Sequence, residues 1–94
     1  MDDDEPVELP IDGVLDLHTF RPSEVKGLVQ EYLDECVRRG IAEVRIIHGK
    51  GKGTLRRTVQ AVLERHPAVK SFQLAPDHGG NWGATVVQLT PTKP

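Results

Sequence analysis

Ninety-four residues, 37% hydrophobic and 28% charged, suffice for one domain with a modest core. A lone Cys36 excludes an internal disulfide and a cysteine-based zinc site, and fits a reducing, cytoplasmic home. No apolar run reaches the roughly 18–20 residues of a membrane span, and the acidic start MDDDEPVE is neither a signal nor a transit peptide, so no membrane partner is expected. The formal charge of −2 conceals an asymmetry. Residues 1–12 carry six acids and no base, leaving twelve bases against eight acids in the remainder, a balance of +4. Arg45, Lys50, Lys52, Arg56 and Arg57 fall within one acid-free stretch, which suits an anionic partner.

Residues 1–12 read as an acidic flexible tail, a solubilising end or a decoy for the basic surface, and 91–94 as a short C-terminal tail. Between them, 13–90 read as one domain. Val14 to His18 alternates as a strand, with Leu15 and Leu17 on one side and Asp16 and His18 on the other. Pro22 opens a helix with Glu24 in its first turn. Val25, Leu28, Val29, Tyr32, Leu33, Cys36 and Val37 form its apolar stripe, and Arg38, Arg39 and Gly40 stop it. Gly27, inside that helix, points to close packing. Glu43 to Ile47 is a second strand, too apolar for an exposed edge.

A glycine–lysine loop, Gly49 to Gly53, leads to a second helix that Thr54 is placed to cap, with Leu55, Val59, Val62 and Leu63 inward. His66-Pro67 ends it. Val69 to Leu74 and Ala84 to Leu89 are the last strands, joined by a loop dense in turn formers. Helical crossovers predict parallel neighbours for the first three strands, and the short last connection predicts an antiparallel return. The expected product is an α/β two-layer sandwich, β-α-β-α-β-β, with a mixed four-stranded sheet and both helices on one face.

Parallel strands place their C-terminal ends at one edge, where open α/β sheets bind ligands. His18, His48 with the glycine loop, and the loop carrying Trp82 then converge. In His48-Gly49-Lys50-Gly51-Lys52-Gly53-Thr54 the glycines admit close approach of backbone N–H groups to an anion, and the following helix adds its positive end. The spacing is neither a Walker A loop nor GxGxxG, so no nucleotide cofactor follows. A tight turn with two solvated lysines would look the same. Asp16-x-His18 is a plausible acid/base pair, or simply a hydrogen-bonded strand end. Trp82 is placed to stack a base or to fold over the core edge. No metal-ligand spacing stands out.

Val14-Leu-Asp-Leu-His18, Val44-Arg-Ile-Ile-His-Gly-Lys-Gly51 with Gly53 and Leu55, and Trp82-Gly-Ala-Thr-Val-Val87 together resemble the small MutS-related (Smr) domain over residues 13 to 90. The resemblance implies a fold like the C-terminal domain of translation initiation factor three. It also implies nucleic-acid binding and, in many members, endonuclease activity on DNA or RNA. Members occur alone or on mismatch-repair-like ATPases. The resemblance links Asp16 and His18 to cleavage, and His48, Gly49, Gly51 and Gly53 to substrate binding and cleavage. Trp82-Gly83 matches a motif of RNA-cleaving relatives. Thr19 and Asn81 stand where many members have glycine.

The resulting expectation is catalysis by Asp16, His18 and His48. Nucleic acid would be held by Gly49, Lys50, Gly51, Lys52, Gly53, Arg56, Arg57 and Trp82. The alternative is a non-catalytic RNA- or ribosome-binding module on the same scaffold. No cofactor is demanded, with room for a divalent metal (Mg or Mn), and no oligomeric state is specified.

Overall fold

The computed structural model describes residues 11–49, 53–76 and 83–90. Six elements follow in chain order: β1 (Val14–Asp16), α1 (Pro22–Arg38), β2 (Glu43–Ile47), α2 (Thr54–Arg65), β3 (Val69–Ala75) and β4 (Ala84–Leu89). Of the expected tails at 1–12 and 91–94, residues 1–10 and 91–94 lie outside the described residues, as do Lys50, Gly51, Lys52, His78, Asn81 and Trp82. Ile11, by contrast, packs partly buried against the core, and the Asp12 carboxylate accepts the Val14 N–H at 3.1 Å, so the packed domain includes two residues expected in the tail.

The sheet order is β1-β2-β4-β3. β1 pairs parallel with β2, while β4 runs antiparallel to both β2 and β3. The first three strands therefore point the same way, but β2 and β3 are not the neighbours that the crossover rule predicted. β4 is inserted between them. The physical reason lies in the side chains: β4 is buried or half-buried throughout, whereas Lys70, Ser71 and Gln73 of β3 are exposed. The more apolar strand takes the centre and the more polar one takes the edge.

The inward period of the strands sets the core. Leu15, Leu17, Val44, Ile46, Val87 and Leu89 pack with Val25, Val29, Tyr32, Leu33 and Cys36 of α1 and with Val59, Val62 and Leu63 of α2. Both helices thus lie on one face of the sheet. α1 starts at Pro22 as expected, and the Glu24 carboxylate accepts the Arg21 N–H at 3.1 Å. The close packing expected around Gly27 is absent: the residue is exposed, and a Cβ there would meet nothing within 4 Å. Tyr32 fastens the short β1 to α1, its hydroxyl donating to Val14 O and accepting the Gly13 N–H, each at 3.1 Å.

β1 also stops two residues short of its expected end. Leu17 N–H continues the ladder to Ile47 O at 2.9 Å. The next amide, of His18, is taken instead by the Asp16 carboxylate at 3.0 Å, and the chain turns. Thr54 is not a cap. The cap position of α2 is Gly53, in the left-handed conformation at φ +83°, with no side-chain hydrogen bond to the helix start. No helix among the described residues is long and apolar enough to cross a membrane.

Candidate nucleic-acid interface

Four chain segments meet at one sheet edge: the C-terminal ends of β1, β2 and β3, and the start of β4. Their backbones are joined there. Leu17 N–H bonds Ile47 O, while the N–H groups of His48 and Gly49 both donate to Gly83 O, at 2.9 and 2.8 Å. The glycine loop is therefore stitched, where it leaves β2, to the residue that follows Trp82. The convergence expected from strand direction is seen for His18, His48, Gly49 and Gly83, even though β2 and β3 are not adjacent, while Lys50, Gly51, Lys52 and Trp82 lie outside the described residues.

Asp16 and His18 form a hydrogen-bonded pair. The His18 Nδ1 lies 2.7 Å from Asp16 Oδ1, and the same oxygen accepts the His18 backbone N–H. An ionised carboxylate only accepts, so Nδ1 carries the proton and donates it. Nε2 is then the basic atom of the neutral ring. The imidazole is 75% exposed and the Asp16 side chain 41%, so Nε2 is open to a substrate. Asp16 fixes the tautomer and orientation of an accessible base.

His48 behaves differently. Its side chain follows the inward period of Val44 and Ile46, and the residue is 6% exposed. Nδ1 lies 3.0 Å from Gly49 O and Nε2 lies 2.9 Å from Thr85 Oγ1. A carbonyl only accepts, so Nδ1–H donates to Gly49 O. In the neutral ring the Thr85 hydroxyl donates to Nε2. Both nitrogens of the expected catalytic residue are thus engaged inside the protein. Gly49, at φ +82°, has its N–H on Gly83 and its C=O on His48.

The start of α2 is receptive to anions. Like α1 it has no side-chain cap hydrogen bond, but where α1 carries Glu24 in its first turn, α2 has no acidic residue there. Helix starts leave backbone N–H groups without intrahelical partners and carry the positive dipole end. Arg56 is half-buried, its guanidinium 3.5 Å from where a Cβ at Gly53 would stand, and Arg57 is exposed. Arg45, part of the basic stretch in sequence, is not part of this surface. The strand period puts it on the sheet face away from the helices, where its guanidinium donates to Pro76 O at 2.8 Å.

Among the described residues no group of three or more His, Cys, Asp and Glu is placed to hold a metal ion. Two residues of this edge were given no structural role by sequence reasoning. Gly83, noted only as part of the Trp82-Gly83 motif, gathers two amides through its carbonyl, a backbone role that residue type does not reveal. Thr85 did leave a sequence mark: it is a polar residue on the inward period of Val87 and Leu89, and such a residue needs a buried partner.

A family model described as Smr domain matches residues 15–90. Curated relatives include endonuclease MutS2 of Thermomicrobium roseum, 43% identical over 79 residues, which are 84% of this chain and 10% of that protein. Endonuclease MutS2 of Halalkalibacterium halodurans is 47% identical over 75 residues, 80% of this chain and again 10% of the relative. The chain thus spans about a tenth of the length of these relatives. The crystal structure of the Smr domain of Thermus thermophilus MutS2 superposes with a TM-score of 0.76 at 36% identity, covering 85% of this chain and all of that one. YdaL, a stand-alone small MutS-related protein from Escherichia coli, gives a TM-score of 0.75 at 28% identity, covering 82% of this chain and 63% of its own. A matching family model over most of the chain, relatives of high identity and the shared mixed sheet lead to one conclusion: the chain belongs to the Smr domain family.

Proposed function

We propose that the protein is a nucleic-acid-binding endonuclease that breaks phosphodiester bonds in RNA or DNA. The observation that carries this reading is the Asp16–His18 pair, whose exposed Nε2 lies at the same sheet edge as the glycine-led start of α2. The MutS2 relatives, named as endonucleases, support it. A backbone phosphate binds at the helix start, with Arg56 and Arg57 and the loop lysines Lys50 and Lys52 supplying charge. Trp82 stacks a base beside the scissile link.

His18 Nε2 takes a proton from the attacking oxygen. On RNA that oxygen is the adjacent 2′-hydroxyl. It bonds to phosphorus, the bond to the 5′-oxygen breaks, and that oxygen leaves with a proton from solvent. On DNA the attacking group is water: its oxygen bonds to phosphorus, the bond to the 3′-oxygen breaks, and that oxygen leaves with a proton from solvent. Cations around the phosphate offset the charge that develops. His48 contributes by holding the loop rather than by moving a proton, because both its nitrogens are engaged.

The test is cleavage of a panel of labelled RNA and DNA, with and without Mg or Mn, comparing the wild-type protein with His18→Ala. The expected loss in His18→Ala is about a hundredfold or more. Cyclic phosphate ends identify attack by the RNA's own hydroxyl, and 5′-phosphate ends identify hydrolysis. Binding without cleavage under every metal condition would instead favour a non-catalytic RNA- or ribosome-binding module.

A further inference from the structure

Besides Tyr32, whose hydroxyl ties β1 to α1, and the Cys36 thiol, the buried polar side chains among the described residues are His48 and Thr85, and they bond each other. Thr85 is fully buried, on the helix-facing side of β4, opposite Ile46 of β2. A hydroxyl in that position requires a partner, and the His48 ring is the one it has. The direction of the bond follows from the other side of the ring. Gly49 O can only accept, so the proton is on Nδ1, and Nε2 of the neutral ring presents a lone pair that only a donor satisfies. The Thr85 hydroxyl is that donor.

The consequence reaches the surface through Gly49. Its carbonyl is drawn toward the buried ring at 3.0 Å, and its N–H is held by Gly83 O at 2.8 Å. A peptide carbonyl left facing an anionic backbone would repel it, because its oxygen carries the negative end of the peptide dipole. Turning that oxygen inward clears an acceptor from the edge where phosphate is to bind. Without the hydroxyl at position 85, Nε2 is left buried with no donor, and the ring loses the bond that holds it beside Gly49. A ring that leaves this position takes Nδ1–H away from Gly49 O, and the carbonyl is released.

We propose that Thr85 is a positioning residue for nucleic-acid binding: its hydroxyl anchors the ring of His48, whose Nδ1–H holds the Gly49 carbonyl away from the phosphate. This deepens the nucleic-acid reading above and rests on it. Thr85 touches no substrate and acts through the ring.

The decisive variants are Thr85→Val, which keeps shape and removes the hydroxyl, and Thr85→Ser, which keeps the hydroxyl. Nitrogen-15 spectra of the histidine rings report the tautomer, and titration of a labelled single-stranded RNA reports affinity. In the wild-type protein His48 is expected with its proton on Nδ1. Thr85→Val is expected to shift the His48 Nε2 signal, as that nitrogen loses its hydrogen bond, and to bind about tenfold more weakly, corresponding to the loss of one buried hydrogen bond. Thr85→Ser is expected to restore both.

Unchanged RNA affinity in a folded Thr85→Val protein overturns the proposal, as does failure of Thr85→Ser to restore binding. The wild-type spectrum is a test that needs no variant, should Thr85→Val not fold: a His48 proton on Nε2 overturns the clamp outright. A wild-type protein that binds neither RNA nor DNA would overturn the nucleic-acid reading. The spectrum would still judge the clamp separately.

Discussion

The carboxylate of Asp16 serves both the backbone amide and the ring of His18, so its charge and its geometry separate experimentally. Asp16→Asn keeps the shape and an oxygen that accepts both N–H groups, but removes the negative charge that favours proton uptake at Nε2. The expected result is a fall in single-turnover cleavage of about a hundredfold, with RNA affinity nearly unchanged. A matching loss in affinity would mean that Asp16 shapes the binding surface instead. Cys36 is the opposite kind of residue. Burial pushes its thiol up to about 11, and a thiol is a weak nucleophile. Because the unfolded chain releases this proton at lower pH than the folded one, the thiol's contribution to stability is lost as pH rises from the ordinary thiol range toward 11. Cys36 should resist a neutral alkylating reagent in native buffer and react readily in urea, as mass spectrometry would show. Fast native labelling would contradict its core position.

At the scale of elements, α1 carries a residue that nothing in its surroundings requires. Gly27 lies inside the helix, exposed and with open space where a side chain would go. Gly27→Ala is expected to stabilise the fold by up to about 1 kcal/mol, through helix propensity and a less flexible unfolded chain. For a domain of this size that corresponds to a rise in melting temperature of roughly 4–8 °C. A fall would imply a constraint on this helix face beyond the fold itself. Much of the element plan was legible in sequence, because period and punctuation agreed: Glu43–Ile47 and Ala84–Leu89 are strands with the expected ends, and α1 begins at Pro22. The position of β4 between β2 and β3 was not legible from the crossover rule. Adjacency is decided by which strand profits most from burial on both sides, and the polar residues of β3 were the available sign. The end of β1 was missed for a local reason, the capture of the His18 amide by Asp16. Within the site, the meeting of His18, His48 and the glycine loop at one edge followed from strand direction. The different environments of the two histidines followed only from strand parity, inward for His48 and outward for His18.

For the whole molecule, charge distribution matters more than net charge. The formal value of −2 includes five acids within residues 1–10, namely Asp2, Asp3, Asp4, Glu5 and Glu8. Removing that segment leaves twelve bases facing nine acids, a net charge of +3. Arg56 and Arg57 stay in place at the start of α2, and Lys50 and Lys52 remain in the chain just before it. If Arg56 and Arg57 each meet a phosphate, replacing both by alanine should flatten the dependence of log affinity on log salt by about 1.4 on a single strand, at about 0.7 per contact. As a decoy, the acidic segment would act in the opposite sense and at longer range: its charge would repel an approaching phosphate backbone and compete for the same cations, both effects being screened beyond about 8–10 Å at physiological salt. Deleting residues 1–10 should therefore raise RNA affinity by about three- to tenfold at low salt, with the two proteins converging near 1 M salt, where the screening length is about 3 Å. The deletion leaves Ile11 and the β1 strand intact, so the melting temperature should change little. A gain that persists at high salt would point to a blocked surface rather than to charge. Equal affinity at every salt concentration would show that the acidic segment leaves binding alone, and that the basic edge alone sets the interaction.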